Sequence, residues 1–457
     1  MLRRKDVNML EGSIVKGLLT IAIPIMVMNV LSSLFNIIDM RMLKAYDTGL
    51  SVGAVGVCGT PITFISNLVV GVATGANVVV ARHIGRKEPG DAEKAAGTAI
   101  AFSIVAGLVL TVIGVVFAST ILDIVNCSQE LKDHGAVLYF RMYFAGIPLL
   151  MVYNFCASIL RSTGNSKRIM VISITSGLVK IAVTYLFVRV VPLSVMGVSI
   201  ANIVAWSVFL GMGLWSLTQK SSTVKLRIKH IRFYKDELRP ILRVGVPSAL
   251  QMGMYSIANV IIASAVNSFG TAASTGVSIA NNFDGILYNV CHATSLAVLP
   301  YVSQNIGAGN PKRAAQSVWK GTLVTICIGA FFGSLSAIFS AQLSSIMSDD
   351  PEVIAWSCQK MIIISSTYFI CGINDILCAA LRGTGKPMIP TIVSLFCLCG
   401  LRFLWVYAIF PLVPNLTFLY LVWPIGWFLS IVMLLPVFLS TMKKLKANHL
   451  PNPATNA

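Results

Sequence analysis

Charged residues are scarce in this sequence: of its 457 residues only 11% are Asp, Glu, Lys or Arg, whereas 56% are hydrophobic. Soluble globular domains carry about 25% charged residues, so the composition excludes a water-soluble protein of this length. The hydrophobic residues are gathered in runs long enough to cross a bilayer as helices. The composition therefore predicts an all-α, polytopic membrane protein.

Acidic residues are the scarcest charged type, with 17 Asp and Glu against 35 Lys and Arg, which gives a formal net charge of +18. In a soluble protein such an excess would indicate a nucleic-acid partner. Here the basic residues lie mostly in alternate loops, where they orient a membrane protein with its positive loops in the cytoplasm. We therefore expect membrane lipids as partners, and no nucleic acid.

Cysteines at zinc-ligand spacing and catalytic motifs are also missing. The ten cysteines lie mostly within apolar runs and have no zinc-ligand spacing, so they are interpreted as small hydrophobic residues. The sequence has no HExxH, no GxSxG, no paired aspartate cluster and no filter-like channel segment. We expect no metal site, no cofactor and no enzymatic activity.

Apolar runs of about 18 or more residues predict about twelve transmembrane helices. The first run is too long for the apolar part of a signal peptide, so we expect it to remain as the first span. Twelve spans put both termini on one side, and the Lys and Arg excess assigns that side to the cytoplasm of a cell-membrane protein. The predicted spans are residues 18–39, 52–81, 95–118, 137–160, 169–190, 194–217, 241–265, 275–302, 318–340, 354–381, 388–410 and 416–441.

Residues of the first half recur in the second half at a nearly constant spacing. This spacing indicates a duplicated six-helix unit, and because six is even both copies enter the membrane from the same side. We expect two six-helix lobes related by a pseudo-two-fold axis along the membrane normal, an architecture suited to alternating access. The recurring pairs include Pro24 with Pro247, Asn36 with Asn259, Gly85 with Gly307, Pro192 with Pro414, Arg161 with Arg382 and Lys180 with Arg402. The predicted boundaries are 1–217 for the N-terminal lobe, 218–240 for a basic cytoplasmic connector, 241–441 for the C-terminal lobe and 442–457 for a cytoplasmic tail.

Ionisable side chains inside the spans are few, and each needs a reason because a charge in the bilayer is costly. Asp39 in span 1 has two interpretations. It caps the outer end of its helix, or it titrates or binds a monovalent cation in the cavity of the first lobe, with Asn36 one turn earlier. Lys180 in span 5 and Arg402 in span 11 are the cations well inside their spans. Lys360 lies nearer a span end, and we expect its side chain to reach the headgroups.

Polar and aromatic residues of the second half are candidates for a substrate cavity. Asp284 in span 8, followed one turn later by Tyr288, either faces a cavity or belongs to a polar patch between helices. Asp375 in span 10 either lines the cavity or pairs with a basic residue, and we expect His292 to be a hydrogen-bonded packing residue. Two residues of span 7 can line a pocket for flat organic cations. The candidate cavity residues are Gln251, Tyr255, Asp284, Tyr288, Asp375 and Arg402.

Six segments form a recognisable set. They read IPIMVMNVLSSLFNIID in span 1, GANVVVARHIGRKEPGDAEKA after span 2, ILRSTGNSKRIM after span 4, VGVPSALQMGMYSIANVII in span 7, LPYVSQNIGAGNPKRA after span 8 and LRGTGKPMIP after span 10. Over roughly residues 10–440 the chain resembles the MATE family, the multidrug and toxic compound extrusion transporters. The resemblance implies twelve helices in two six-helix lobes, extrusion of organic cations, and energy from inward Na⁺ or H⁺ flow.

The resemblance also implies roles for single residues. Asp39 matches the acid that the family carries in span 1, which makes it the candidate coupling site, with Asn36 beside it. Lys180 and Thr184 stand where many members have Asn and Asp, and Gln251 stands near a position where some members have Glu. A lysine ammonium near Asp39 would occupy the place of a bound Na⁺. These departures favour H⁺ over Na⁺ as the coupling ion.

The resulting hypothesis is a secondary active multidrug exporter that works as a monomer by alternating access. It would exchange small hydrophobic compounds, in particular organic cations, against H⁺ or Na⁺, and an ion drives such a cycle only through its different affinities for the two states. Two alternatives stay open. One is a flippase of lipids or lipid-linked oligosaccharides from the same superfamily, which a basic cavity around Lys180 and Arg402 would favour. The other, a twelve-helix transporter of the major facilitator type, has less support, because the segment from Arg82 to Lys87 lacks the Gly-x-x-x-Asp opening of that type's motif.

Overall fold

The computed structural model describes residues 7–46, 49–191, 193–219 and 222–448, and every regular element in these ranges is helical. Parts of the predictions above lie outside the described residues, namely residues 1–6, Pro192, residues 220–221 of the connector and residues 449–457 of the tail. Within the described ranges the prediction of an all-α protein is confirmed.

The helices of the first half are long, and short segments join some of them. They are α1 Ile14–Tyr46, α2 Gly49–Arg86, α3 Pro89–Val116, α4 Ala118–Ile124, α5 Gln129–Leu131, α6 Val137–Ala145, α7 Ile147–Ser162, α8 Ser166–Tyr185 and α9 Val195–Thr218. Wider π-helical turns occupy Lys132–Ala136 and Leu186–Val190, and one 3₁₀ turn, Ile228–His230, lies in the connector.

The second half repeats this arrangement. Its helices are α10 Lys235–Asn267, α11 Thr271–Gly307, α12 Pro311–Ile338, α13 Ser340–Ser345, α14 Pro351–Ser366, α15 Tyr368–Gly383, α16 Met388–Ser394, α17 Leu401–Leu404, α18 Leu416–Tyr420 and α19 Val422–Asn448. Leu395–Gly400 and Trp405–Ile409 are π-helical and Phe410–Leu412 is 3₁₀, so α16 and α17 continue into one span.

Ten continuous helical stretches in the described part of the chain are long and apolar enough to cross a membrane, and two bent helix pairs raise the number to twelve. The bent pairs correspond to the predicted spans 4 and 10. In the first pair, Gln129–Ala145 meets Ile147–Ser162 at 46°, and in the second, Pro351–Ser366 meets Tyr368–Gly383 at 47°. The prediction of about twelve spans is thus confirmed, and the bend at Gly146 recurs at Thr367, the equivalent position of the second copy.

A proline causes the bend in span 4, which belongs to the first copy of the repeat. Pro148 lacks the amide hydrogen that would bond to the carbonyl of Phe144, and its ring crowds that carbonyl. The hydroxyl of Thr111 on α3 donates to the freed Phe144 carbonyl at 2.7 Å. Gly107 on the same face of α3 allows this approach, since a Cβ there would lie 2.6 Å from Cα of Pro148.

The bend in span 10 has a different cause. Thr367 donates its hydroxyl to the carbonyl of Ile363 at 2.9 Å, and Ser366 donates to the carbonyl of Ile362 at 2.6 Å. Such bonds from Ser and Thr to the preceding turn compete with the backbone ladder and bend helices. The two copies therefore keep the bend while using different residues to make it.

The described residues form two compact units, and most of the limits between the units fall inside helices. Unit 1 comprises Val27–Val80 and Pro89–Gly253, and unit 2 comprises Val7–Met26, Ala81–Glu88 and the described residues from Met254 onward. One limit follows Met26 in α1 and another follows Gly253 in α10, so each lies just beyond a proline of the repeat, Pro24 or Pro247. The lobe boundaries given by the sequence stay predictions.

Unit 2 contains a close helix crossing made by two glycines of the repeat. A Cβ on Gly85 of α2 would lie 2.0 Å from the carbonyl oxygen of Gln304, and a Cβ on Gly307 of α11 would lie 2.2 Å from that of Arg82. The contact is reciprocal because Arg82 and Gln304 also stand at equivalent positions of the two copies. No other residue fits at either glycine without moving a backbone.

Candidate functional site

A cavity of about 630 Å³ lies within unit 1 and is lined by α1, α2, α6, α7, α8 and α9. This volume falls in the range of small-molecule sites, which are concave and largely apolar with a few polar groups. Its aromatic and amide side chains can contact a flat organic molecule through ring faces and hydrogen bonds. These side chains are Asn29, Tyr139, Tyr143, Tyr153, Asn154, Asn202, Trp206 and Phe209.

Asp39 lies at the wall of this cavity and is only 3% exposed. Its Oδ2 atom is 2.6 Å from Nζ of Lys180, and its Oδ1 atom accepts a hydrogen bond from the hydroxyl of Thr184 at 2.9 Å. Lys180 also donates to Oδ1 of Asn36 at 2.9 Å. Because α1 continues to Tyr46, the interpretation of Asp39 as a helix-end cap is wrong. The carboxylate belongs to the cavity lining, and its titration or cation binding stays a prediction.

Helix geometry and one glycine bring these side chains together. Asn36 and Asp39 share a face of α1 because they are three residues apart, and Lys180 and Thr184 share a face of α8 because they are four apart. Gly177 lets the two helices approach, since a Cβ there would lie 1.9 Å from the ring of Phe35. The short distance between α1 and α8 allows a lysine on one helix to reach a carboxylate on the other.

The pairing decides what the cavity can bind. Among the described residues that line it, Asp39 is the only acid and Lys180 the only base, so their formal charges cancel. An ammonium and a hydroxyl already occupy both carboxylate oxygens. A metal cation would have to displace the ammonium, whereas a proton can be added to the carboxylate and release Lys180 from it.

Unit 2 contains a second buried ion pair, between α11 and α14. Nζ of Lys360 lies 2.9 Å from Oδ2 of Asp284 and also bonds to Oδ1 of Asn281. Lys360 is only 2% exposed, so the expectation that its side chain reaches the headgroups is wrong. The physical reason is that an interior carboxylate within reach offers the ammonium a stronger partner than the distant interface. Tyr368 supports the pair by donating to the backbone carbonyl of Asp284 at 3.2 Å.

Arg402 is the other cation of unit 2 and is 6% exposed. One of its Nη atoms donates to Oδ1 of Asn259 at 2.7 Å. Its guanidinium lies over the ring of Trp423, 5.2 Å from the ring centroid, and Nζ of Lys360 lies 5.9 Å from the same centroid. Two cations therefore share one indole ring.

Asp375 and His292 form a third polar contact of unit 2. Nδ1 of His292 lies 2.8 Å from Oδ2 of Asp375, and the imidazole stacks on the ring of Tyr288 at 5.1 Å between centroids. His292 is thus hydrogen-bonded and packed, as expected. The structure places Asp375 next to a histidine, while the predicted role of Asp375 in a cavity stays a prediction.

The structure distributes the predicted site residues over the two units. Asn36, Asp39 and Lys180 meet in unit 1, where Gln251 is buried in α10 and lies outside the described cavity lining. Tyr255 packs against a hydrophobic cluster of unit 2. The other predicted cavity residues, Asp284, Tyr288, Asp375 and Arg402, lie in unit 2 in the contacts given above, and the roles of all these residues stay predictions.

Several residues of these contacts were missed as site residues, among them Asn259, Trp423 and Lys360. Asn259 could have been found, because Asn36 and Lys180 recur at Asn259 and Arg402, so a contact in one copy implies a contact in the other. No local sequence signal marks Trp423 or the pairing of Lys360.

Comparison with known proteins gives a two-part match. The MatE family model matches residues 24–186 and again residues 247–408. The two matches begin and end at equivalent positions of the repeat, since the first begins at Pro24 and the second at Pro247. Together they cover most of the chain.

Individual relatives are distant but span the chain. It is 24% identical over 405 residues to "Probable multidrug resistance protein YoeA" of Bacillus subtilis, covering 86% of both chains. It is 22% identical over 342 residues to "FAD transporter" of Shewanella oneidensis, covering 73% of this chain and 75% of that protein. A solved structure described as "Outward-facing conformation of a multidrug resistance MATE family transporter of the MOP superfamily" has the same fold, with a TM-score of 0.89, 19% identity, and coverage of 97% of this chain and 99% of the other.

Proposed function

Because the chain belongs to the MatE family, we propose that it is a secondary active exporter that exchanges hydrophobic organic compounds against H⁺ by alternating access. The observation that carries this proposal is the Asp39–Lys180 pair at the wall of the unit 1 cavity. Both termini lie in the cytoplasm in this proposal, and the cell membrane is the site of action, on the basis of the Lys and Arg distribution.

The proposed coupling step is the protonation of Asp39. When the carboxylate takes up a proton, its charge no longer balances the ammonium of Lys180, and the cavity lining gains a formal charge of one. A cationic cargo is then repelled and leaves. When the proton departs on the other side, the pair re-forms and the cavity accepts cargo again, so the proton binds the two states with different affinities, as coupling requires.

Proton coupling is preferred to sodium coupling for a geometric reason. Na⁺ needs several oxygen ligands, and here the two carboxylate oxygens of Asp39 already bind Lys180 and Thr184. Displacing a buried ammonium leaves that charge unpaired, at a cost of several kcal/mol. We also propose that the protein has no resident cofactor and works as a monomer.

The flippase alternative receives less support. A pyrophosphate group needs a cavity with an excess of positive charge, whereas the single lysine of the described unit 1 lining is balanced by Asp39. Cargo with an acidic group nevertheless stays within the proposal. One relative is named a FAD transporter, and FAD is an aromatic molecule that bears phosphates.

Ethidium efflux from proteoliposomes under separately imposed gradients tests the proposal. We expect efflux under a proton gradient and none under a sodium gradient of equal size. Vesicles without protein and vesicles with both gradients collapsed by ionophores are the controls. Efflux that follows only the sodium gradient would overturn proton coupling, and no efflux from demonstrably folded protein under either gradient would shift support to the flippase.

A further inference from the structure

The two copies of the repeat make the same contact between an asparagine and a cation. In unit 1, Lys180 donates to Oδ1 of Asn36 at 2.9 Å, and in unit 2, Arg402 donates to Oδ1 of Asn259 at 2.7 Å. The two asparagines recur at the repeat spacing, and so do the two cations. The two contacts are therefore equivalent, and any difference around them is a difference between the copies.

The two copies differ in that the second copy has no acid at the position equivalent to Asp39. Ile262, which is 4% exposed, stands at the position equivalent to Asp39, where the second copy would need a carboxylate. No Asp or Glu in the described part of the chain forms an ion pair with Arg402, whose polar contacts there are Asn259 and the ring of Trp423. A buried charge without a counter-charge is costly, and an ionisable residue retained inside a span usually has a function.

The neighbours of Arg402 do not supply the missing charge. Asp284 is paired with Lys360 at 2.9 Å, so Asp284, Lys360 and Arg402 together carry one excess positive charge. The guanidinium has five N–H groups in a planar fork, and one Nη atom bonds to Asn259. The remaining donors suit two oxygens of a carboxylate or phosphate. Trp423 is half-buried and its ring lies against the guanidinium, 5.2 Å from the ring centroid, so an aromatic group of a ligand held by Arg402 can contact the indole through its edge.

We propose that Arg402 binds the carboxylate or phosphate of an acidic aromatic compound, with Asn259 orienting the guanidinium and Trp423 contacting the aromatic ring. The site extends the cargo of the proposed exporter to organic anions, and to that extent it rests on the proposed function. In unit 1 the counter-charge is built into the chain as Asp39, whereas in unit 2 the ligand supplies it.

Calorimetric titration of the purified full-length protein in nanodiscs tests this site without any ion gradient. The probes are 1-naphthyl phosphate and the uncharged 1-naphthol, which share one ring system. The variant Arg402→Gln should bind naphthyl phosphate at least about tenfold more weakly and bind naphthol unchanged. Arg402→Lys should be intermediate because it keeps the charge and loses the fork. Arg141→Gln, which removes an exposed arginine, is the matched control and should change neither affinity.

A second variant gives the missing acid to the second copy. Ile262→Asp places a carboxylate at the position equivalent to Asp39, where it can pair with Arg402. The arginine and its contacts are then kept, yet the affinity for naphthyl phosphate should fall at least about tenfold, because the new internal counter-charge competes with the ligand. Unchanged affinity for naphthyl phosphate in both Arg402→Gln and Ile262→Asp, or an equal loss for naphthol, would overturn the proposal.

The lipid composition of the nanodiscs distinguishes a soluble anion from a lipid headgroup as the ligand of Arg402. If the headgroup phosphate of an anionic lipid occupies the site, nanodiscs containing phosphatidylglycerol should weaken naphthyl phosphate binding to the unmodified protein relative to pure phosphatidylcholine, and Arg402→Gln should abolish this difference. That result would assign the site to lipid and overturn the cargo role. If the unmodified protein exports ethidium but does not bind naphthyl phosphate, only this inference is contradicted. If the unmodified protein binds naphthyl phosphate but does not export ethidium, only the transport proposal is contradicted.

Discussion

The ammonium of Lys180 lies 2.6 Å from the carboxylate of Asp39, although the two residues belong to α8 and α1, which are far apart in the chain. The pair lines the cavity of unit 1 and cancels its formal charge. Asp39 is paired with Lys180 when it is ionised, and a protonated Asp39 would no longer balance the charge of Lys180. Addition of one proton to Asp39 would therefore change both the charge and the hydrogen bonding of the cavity.

Asp39→Asn should abolish proton-driven ethidium efflux, to the level of vesicles without protein, because an amide cannot titrate. The free energy of unfolding should fall by about 3–5 kcal/mol, because the buried ammonium of Lys180 loses its counter-charge and keeps only neutral oxygen partners such as Asn36. Efflux rates and the yield of monodisperse protein are measured together. Asp349→Asn, an exposed acid, is the matched control and should leave both unchanged. Full efflux by Asp39→Asn would remove this carboxylate from the mechanism.

Lys180→Asn should make the thermal stability of the protein depend on sodium. The substitution frees one oxygen of Asp39 and adds an amide oxygen, which together with Thr184 and Asn36 offers oxygen ligands to a cation. Bound Na⁺ stabilises the folded state, so the Tm of the variant should rise in NaCl relative to KCl of equal ionic strength, while that of the unmodified protein should not differ. A sodium-dependent Tm in the unmodified protein would contradict the geometric argument against Na⁺.

Thr111→Val should destabilise the protein by about 1–3 kcal/mol, because the carbonyl of Phe144 loses the hydroxyl that compensates for Pro148. Adding Pro148→Ala should recover part of this loss, since an alanine amide can bond to the Phe144 carbonyl itself. Thermal unfolding of the two single variants and the double variant gives the coupling energy. Thr322→Val is the control, because Thr322 bonds only to the carbonyl of Val318 in its own helix. Strictly additive effects would show that Thr111 and Pro148 act independently.

Gly307→Ala should destabilise unit 2 by about 1–3 kcal/mol, because the new Cβ would meet the carbonyl oxygen of Arg82 at 2.2 Å and force α2 and α11 apart. Gly285→Ala on the same helix is the control. A Cβ at Gly285 meets nothing within 4 Å. That change should therefore stabilise the protein by about 0.4–1 kcal/mol, because alanine lowers the conformational entropy of the unfolded chain. The Tm values of the two variants should move in opposite directions, and a common shift would show that the crossing is not tight.

Hydropathy and the repeat predicted the helical architecture well, because apolar length and residue spacing are properties of the chain itself. They did not predict the partner of Lys360, since a lysine near a span end can reach either the interface or an interior acid. The structure resolves the choice in favour of Asp284, at 2.9 Å. The bent spans 4 and 10 were likewise predicted as spans but not as bends, because Ser366 and Thr367 bend one copy without any proline.

The sequence by itself determined the class of the protein, the number of spans, the duplication and the family, since composition, periodicity and recurring motifs need no knowledge of contacts. Only the tertiary structure decided that α1 and α8 approach closely enough for Lys180 to neutralise Asp39, and that Arg402 in the second copy keeps Asn259 without gaining an acid. The physical reason is that the energy of a buried charge depends on its distance from other charges, and helix packing sets that distance.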